Sequence, residues 1–302
     1  MTSKGTNITN RASKIASEKV EDVKGDNDNE NKSKNPNKNT DVCKRKILSM
    51  EIKPGCVIYN NRTIFFKDTR TLALADLHLG YEGAMEKDGV LFPKCQLNII
   101  KKELSKIIKK HHPREIVIVG DVKHELSGNI PQEWKEVMDF LDFILNSKCK
   151  LVIVKGNHDH FLESMINKSK LYKDVNLVES YQVGNFLFLH GHKSEKEYFK
   201  EDKEDNKDRK RIVVMGHEHP SILLRDEVGA RLKLHCFLVG KNVIVLPAFS
   251  PLASGVDVNC SEFMSPILRN IDLEREGIKV IATTWLGLLD FTTLHKLRMI
   301  KY

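Results

Sequence analysis

"LVIVKGNHDH", residues 151–160, carries the reading of both fold and chemistry. Its first half is an unbroken apolar run of strand length, and its second half packs a glycine, an amide, two imidazoles and a carboxylate into five consecutive positions. Gly and Asn make turns, and His and Asp tolerate them, so an ordinary turn accounts for the stretch taken alone. The test is whether other strands end the same way.

They do. "LALA" (72–75) runs into Asp76-Leu77-His78, and "IVIV" (116–119) into Gly120-Asp121 with His124 three residues on. "FLFL" (186–189) runs into His190-Gly191-His192, and "IVVM" (212–215) into Gly216-His217-Glu218-His219. In open α/β sheets, ligands bind beyond the carboxyl ends of the strands, so five such loops converge on one place. Asp, His and a single Asn are oxygen and imidazole donors suited to Mn²⁺, Fe²⁺ or Zn²⁺, with no thiolate among them. The set is too large for one ion. Two ions about 3.5–4 Å apart, bridged by a carboxylate, would use it, and such pairs clamp phosphoryl groups and activate water at neutral pH.

The rest of the chain supplies the frame. Further apolar runs at 56–59, 63–66, 243–246 and 279–283 read as strands. "QLNIIKKELSKIIKK" (96–110) has apolar residues at helical spacing, and "PQEWKEVMDFLDFILN" (131–146) opens on a proline suited to a first helical turn. Strands alternating with helices give one α/β domain, expected over residues 49–302. Residues 1–48 read as a disordered low-complexity tail, because the stretch is rich in Lys, Asn, Asp and Ser and its first 45 residues hold almost no large apolar side chain. The charged stretch 193–211 reads as an exposed loop or solvated helix between two strands.

The net charge of +8 suits a polyanionic partner, though a Lys-rich tail yields the same value without one. Six dispersed cysteines without a C-x-x-C pair argue against a disulfide framework and against a thiolate zinc site. A reducing cytoplasm is the expected location. The longest apolar stretch, 278–291, is broken by Lys279 and Asp290 and is too short to span a bilayer, so no membrane partner is expected.

In this order, "DLH", "GD", "GNHD", "HGH" and "GHEH" resemble the five signatures of the calcineurin-like metallophosphoesterases, over roughly residues 70–250. The resemblance implies a four-layer α-β-β-α sandwich of two mixed β-sheets. It implies that Asp76, His78, Asp121 and His219 hold one divalent metal, and that Asp121, Asn157, His190 and His217 hold the other. Asp121 is then the bridge and His158 the proton donor to the leaving oxygen. Mn²⁺ is the expected ion, with Fe²⁺ and Zn²⁺ as alternatives. "ADLHLG", "GHEHPS" and "LPAFSPLASG" look like the archaeal branch related to the SbcD and Mre11 nucleases and to ligase-associated DNA-repair phosphoesterases.

Many members of the family carry Asp three residues after the bridging Asp, where it orients the catalytic His. This chain has His124 there, as nuclease members do, which favours a phosphodiester substrate and makes His124 a second catalytic candidate, with a supporting role as its alternative. A protein Ser/Thr phosphatase would need Asp, Arg and Gly where His124, Glu125 and Leu126 stand. The expected function is therefore phosphodiester hydrolysis, as a nuclease in DNA repair. A diesterase or phosphatase acting on a small nucleotide is the alternative, and a non-catalytic scaffold the rival from another class. The scaffold reading is opposed by the filling of every expected position. DNA or RNA and a second copy of the chain in a homodimer are the expected partners. His192 is the alternative to His190, Asp159 is expected to fix its loop, His111 and His112 read as an exposed helix end, and His160, His235 and His295 read as structural.

Overall fold

The computed structural model describes residues 47–126, 130–168, 173–198 and 211–300. The expected tail, apart from its last two residues, lies outside the described residues, as do residues 199–210 of the charged stretch.

The first sheet runs, in spatial order, β1 (Ser49–Lys53), β2 (Cys56–Tyr59), β3 (Ile64–Phe66), β4 (Thr71–Leu74), β5 (Glu115–Val119), β6 (Lys150–Val154) and β7 (Val175–Val178). Strands β1 to β4 form an antiparallel meander; β4 to β7 are parallel. Parallel neighbours need crossovers. These are α1 (Tyr81–Lys87) and α2 (Gln96–His111) between β4 and β5, α3 (Pro131–Asn146) before β6, and α4 (Leu162–Asn167) before β7. Every parallel strand therefore points its carboxyl end at the same edge.

At Glu179 the chain passes in one residue from β7 into β8 (Ser180–Val183), the first strand of the second sheet. Here β9 (Phe186–Leu189) is followed by α5 (Glu195–Tyr198) and β10 (Ile212–Met215), and β9 and β10 pair in parallel. The sheet continues with β11 (Pro220–Arg225), β12 (Arg231–Val239), β13 (Val243–Val245) and β14 (Val256–Asp257), in the order β14-β11-β12-β13-β10-β9-β8. The turn at 225–231 is closed on itself by the Asp226 carboxylate, which accepts from the Val228 and Ala230 amides at 3.1 and 2.8 Å. Helices α6 (Pro266–Arg269) and α7 (Leu273–Glu276) precede β15 (Lys279–Thr284) and β16 (Gly287–Thr293), and α8 (Leu294–Arg298) follows. β15 pairs with β12 and with β16, so the long apolar stretch at 278–291 is a hairpin.

Period-2 alternation sorts the side chains into three layers. Ala73, Val117, Val152 and Val154 from the first sheet meet Phe188, Val214, Ile244 and Phe237 from the second in one buried cluster. Leu72, Leu74, Ile116 and Ile118 point the other way, against Ile100 and Leu104 of α2 and Val137, Phe140 and Leu141 of α3. On the far side, Leu187, Leu189, Met215 and Leu238 pack with Ile267, Leu268 and Leu294 of α6 and α8. Helices, sheet, sheet, helices: the four layers are in place. Complete burial of one such aliphatic side chain contributes about 1.5–3 kcal/mol.

Candidate metal centre

The loops after β4 and β5 are stitched together by backbone bonds. Asp76 N–H donates to the Gly120 carbonyl (3.1 Å) and His78 N–H to the Asp121 carbonyl (2.9 Å). Asp76, His78, Asp121, His217 and His219 all adopt left-handed backbone conformations, with φ from 45° to 64°. Asp, Asn and His reach this region more readily than other non-glycine residues, but at a cost of order 1–3 kcal/mol each. Five such positions in one place mark a site where geometry outranks local stability.

The glycines of the motifs follow from crowding. A Cβ on Gly120 would stand 2.0 Å from His190 Nδ1, and φ there is +81°. A Cβ on Gly156 would stand 2.1 Å from Asp121 Oδ1. Neither position admits a side chain while Asp121 and His190 stay in place, so the glycine of "GNHDH" serves the neighbouring loop.

Two groups of donor atoms within 4.8 Å of one another share Asp121: Asp76, His78, Asp121 and His219 in one, Asp121, His190 and His217 in the other; a third group at the same spacing, His78, His124 and His158, holds no carboxylate. Asn157 joins the second through Oδ1, 3.2 Å from His190 Nε2. Asp121 Oδ2 lies 3.7 Å from His78 Nε2 and 3.3 Å from His190 Nε2, so it faces both groups. Both carboxylates are buried, at 0% exposure for Asp76 and 2% for Asp121, and the cationic partners within reach are histidines. Asp76 Oδ1 sits 3.4 Å from His219 Nε2, and the Nε2 atoms of His78 and His219 stand 3.2 Å apart.

A divalent cation fits this donor set. His190 Nδ1 donates to the Val119 carbonyl at 3.1 Å, so its Nε2 turns a lone pair toward the oxygens of Asp121 and Asn157. Acceptors converging in this way require a cation or a proton between them. Without metal the proton takes that place: burial would push His190 down, but Asp121 and Asp76 outweigh it and raise its pKa to about 9. Burial likewise acts to raise the Asp121 carboxyl, and His190, His78 and His158 hold it well below the usual range. His78, at about 3, and His217, at about 4, are depressed by burial, and a neighbouring imidazole adds to it in each case. They remain neutral and able to ligate at neutral pH, and a metal entering the site would displace the proton on His190.

His158 lies at the rim. Its backbone N–H donates to Asp121 Oδ1 at 3.0 Å, its Nδ1 bonds the His124 carbonyl, and its Nε2 stands 3.9 Å from Asp121 Oδ2. Residue 124 thus reaches the His158 ring through its backbone carbonyl, and its imidazole lies nearly parallel to that ring with centroids 5.8 Å apart. The His124 imidazole packs against Tyr81 (4.3 Å between ring centroids) and sets its Nδ1 3.4 Å from His78 Nδ1. His190 enters the donor cluster and His192 does not; the His192 Nδ1 lies 3.3 Å from the Tyr198 hydroxyl. In the structure residue 190 shares the inter-sheet face of Phe188, and Gly191, at φ +105°, ends the alternation before 192.

The support behind the loops is largely invisible in the sequence. Asp159 is the exception, expected from the sequence to fix its loop: it accepts from Val122 N–H and Gly156 N–H at 2.9 Å each, clamping "GD" to "GNHD". Buried Glu133 accepts from the amides of His124 (2.9 Å) and Glu125 (2.7 Å), and buried Lys123 lies 3.5 Å from it. Gln96 donates to the Leu77 and His78 carbonyls, both at 3.0 Å. Glu218, between two motif histidines, faces away and accepts from the Met264 and Ser265 amides. His111, expected at an exposed helix end, is half-buried against the rings of Tyr59 and Phe65, and His235 lines a cavity.

The sequence model of the calcineurin-like phosphoesterase family matches residues 69–283. The chain belongs to that family. It is a metal-dependent hydrolase of a family that works with two metal ions. The phosphoesterase also superposes on the nuclease MPE from Pseudomonas putida, with a TM-score of 0.55 and 19% identity over 80% of this chain and 98% of that one. A second solved structure is YfcE, a phosphoesterase from E. coli, with a TM-score of 0.30 and 17% identity over 50% of this chain and 73% of the other. No curated protein sequence gives a significant match. Among the described residues no helix is long and apolar enough to cross a membrane.

Proposed function

We propose that the phosphoesterase hydrolyses phosphodiesters, with Asp76, His78, Asp121 and His219 holding one Mn²⁺ and Asp121, Asn157, His190 and His217 the other. The observation that carries this reading is the convergence on Asp121 Oδ2 of Nε2 atoms from His190, His78 and His158, at 3.3, 3.7 and 3.9 Å. When bound, the metal pair supplies positive charge to the phosphoryl oxygens and activates water. The chain's own residues do the rest. Asp121 ties the two halves together, and His190 presents Nε2 because Val119 occupies its Nδ1.

A carbonyl only accepts, so the bond to His124 O fixes the proton of His158 on Nδ1 and leaves Nε2 as the nitrogen that exchanges a proton. That nitrogen faces the cluster without belonging to either metal group of Asp121, which suits a general acid at the leaving oxygen. His124 supports the site by accepting the Nδ1 proton of His78. The fold shared with a nuclease and the positive net charge favour DNA or RNA as the substrate and DNA repair as the setting; a shell of oxygen and imidazole donors suits Mn²⁺, Fe²⁺ and Zn²⁺ alike, and Mn²⁺ is the ion we propose.

Metal-stripped protein reloaded with Mn²⁺ should bind two ions per chain and cleave bis-p-nitrophenyl phosphate faster than p-nitrophenyl phosphate. Full activity without metal, or a preference for the monoester, would overturn the reading. Single-stranded DNA, duplex DNA, RNA and cyclic nucleotides assayed side by side then separate a nuclease from a small-nucleotide diesterase.

A further inference from the structure

Beside the metal centre lies a cavity of about 420 Å³, in the range of small-molecule sites, whose walls include Arg62, Glu103, His235, Phe249, Thr284 and Trp285. Arg62 is its least expected member. It ends the β2–β3 turn, its N–H donating to the Tyr59 carbonyl at 3.0 Å, in a left-handed conformation with φ 68°. Glycine or asparagine would make this turn without strain, so the turn does not account for an arginine.

The side chain does. Arg62 Nη1 donates to the Ser250 carbonyl at 3.0 Å, and the guanidinium sits 5.9 Å over the Phe249 ring. Among the described residues no carboxylate pairs with it within 4 Å. Glu103, the acid in the same wall, is drawn onto Lys106 at 2.6 Å. Burial lowers the Arg62 pKa to about 10, against the pull of Glu103, so the group is still a cation at neutral pH. A partly desolvated guanidinium held by a lone carbonyl is a ready anion receptor. Next to it, His235 Nδ1 is buried without a hydrogen-bond partner among the described residues.

The wall joins the cavity to the metal centre. Ser250 accepts from Arg62 with its carbonyl and donates its N–H to the Asp76 carbonyl at 3.1 Å. Phe249 N–H donates to Ala75 O at 2.8 Å. His235 feels both Arg62 and His219, which add to the burial that lowers its pKa to about 4. A second cavity of about 170 Å³, beside Lys155, His192 and Lys193, offers no such vacancy, because Glu163 and Glu179 already pair with its lysines at 3.2 and 2.6 Å.

We propose that the larger cavity receives the nucleotide unit adjoining the scissile phosphate, with Arg62 on that unit's own phosphate, His235 on a polar edge of sugar or base, and Trp285 at the rim against the base face. Trp285 is 81% exposed, and stacking on an aromatic ring beside a cation is the general way single-stranded nucleic acid is held without regard to sequence. This inference rests on the phosphodiesterase reading of the metal centre, and it assigns the substrate more than one phosphate.

The test is calorimetric titration of the metal-stripped full-length chain with thymidine 3′,5′-bisphosphate, which needs no turnover. Arg62→Asn removes the cation with a residue that accepts the left-handed turn, so its melting temperature should stay near wild type. Wild type should bind the probe, and Arg62→Asn should bind it about 10–100-fold more weakly, the worth of a charge-assisted phosphate contact. Absence of binding in wild type, or equal binding by a stably folded Arg62→Asn, would each overturn the assignment. Intact probe binding together with failure of the Mn²⁺-loaded protein to cleave diesters would instead sink the phosphodiesterase reading alone.

Discussion

The two halves of the proposed metal centre hold their histidines by different means. His190 is fixed by the backbone, its Nδ1 on the Val119 carbonyl and its ring wholly buried. His78 is fixed by a side chain, its Nδ1 3.4 Å from that of His124. A carbonyl accepts and does nothing else, so the His190 tautomer survives any substitution around it that preserves the fold. An imidazole can donate or accept, so the nitrogen His78 offers to a metal depends on which residue stands at 124 and on its protonation. The His190 half is insulated from sequence change, and the His78 half is tunable.

Asp121 is where the comparison can be broken outright. Its Oδ2 faces both halves and its Oδ1 accepts the His158 amide, so Asp121→Asn should strip metal from both halves and take hydrolysis to background. The domain should stay folded, because the substitution conserves volume and removes a buried charge. Metal analysis with circular dichroism checks this. A variant that keeps one full equivalent of metal would show that the halves do not share this oxygen.

The next effect concerns His158, which lies outside both halves and is held, like His190, by a carbonyl. His158→Asn should leave metal content intact and slow a diester with an alkyl leaving group by roughly 10²–10⁴-fold. A p-nitrophenyl diester, whose leaving group departs without a proton, should be slowed far less. Equal losses on the two substrates, or a lost metal, would move His158 into the coordination shell.

The strand-end motifs were readable because each apolar run is a buried parallel strand, and a parallel strand must release its chain at the ligand-binding edge. The runs themselves gave an α/β domain and the four layers came with the family resemblance; in the structure, alternation sends Leu72 and Leu74 to the helices and Ala73 to the facing sheet. Buried Lys123, Glu82, Gln96 and Glu133 were not readable. Lys and Glu are almost never buried unless paired, and the pairing here joins α1, the start of α2, α3 and two loops far apart in the chain. Arg62 is hidden for a similar reason, since its hairpin position says nothing of Ser250, 188 residues away. Local spacing encodes which face a side chain takes, but only tertiary pairing makes a charged residue affordable inside.

The smallest expected effect sharpens the contrast between the halves most. Burial, reinforced by the nearby His158, lowers the His124 pKa to about 4, so at neutral pH the ring is uncharged, and with its proton on Nε2 its Nδ1 accepts from His78 Nδ1 and leaves His78 Nε2 for a metal. His124→Ala removes that acceptor but keeps the backbone carbonyl that holds His158. Titration with Mn²⁺ should then show one binding step weakened by about 10–100-fold, the usual worth of a supporting contact to a metal-bound histidine, and the other unchanged. His124→Gln, whose amide oxygen can accept the same proton, should recover part of the loss. The contrast between alkyl and p-nitrophenyl leaving groups should match wild type in both variants, because His158 keeps its partner. Should His124→Ala instead reproduce the leaving-group discrimination of His158→Asn with both metals still tightly bound, the imidazole at 124 would belong to proton transfer, and the two halves would be held alike.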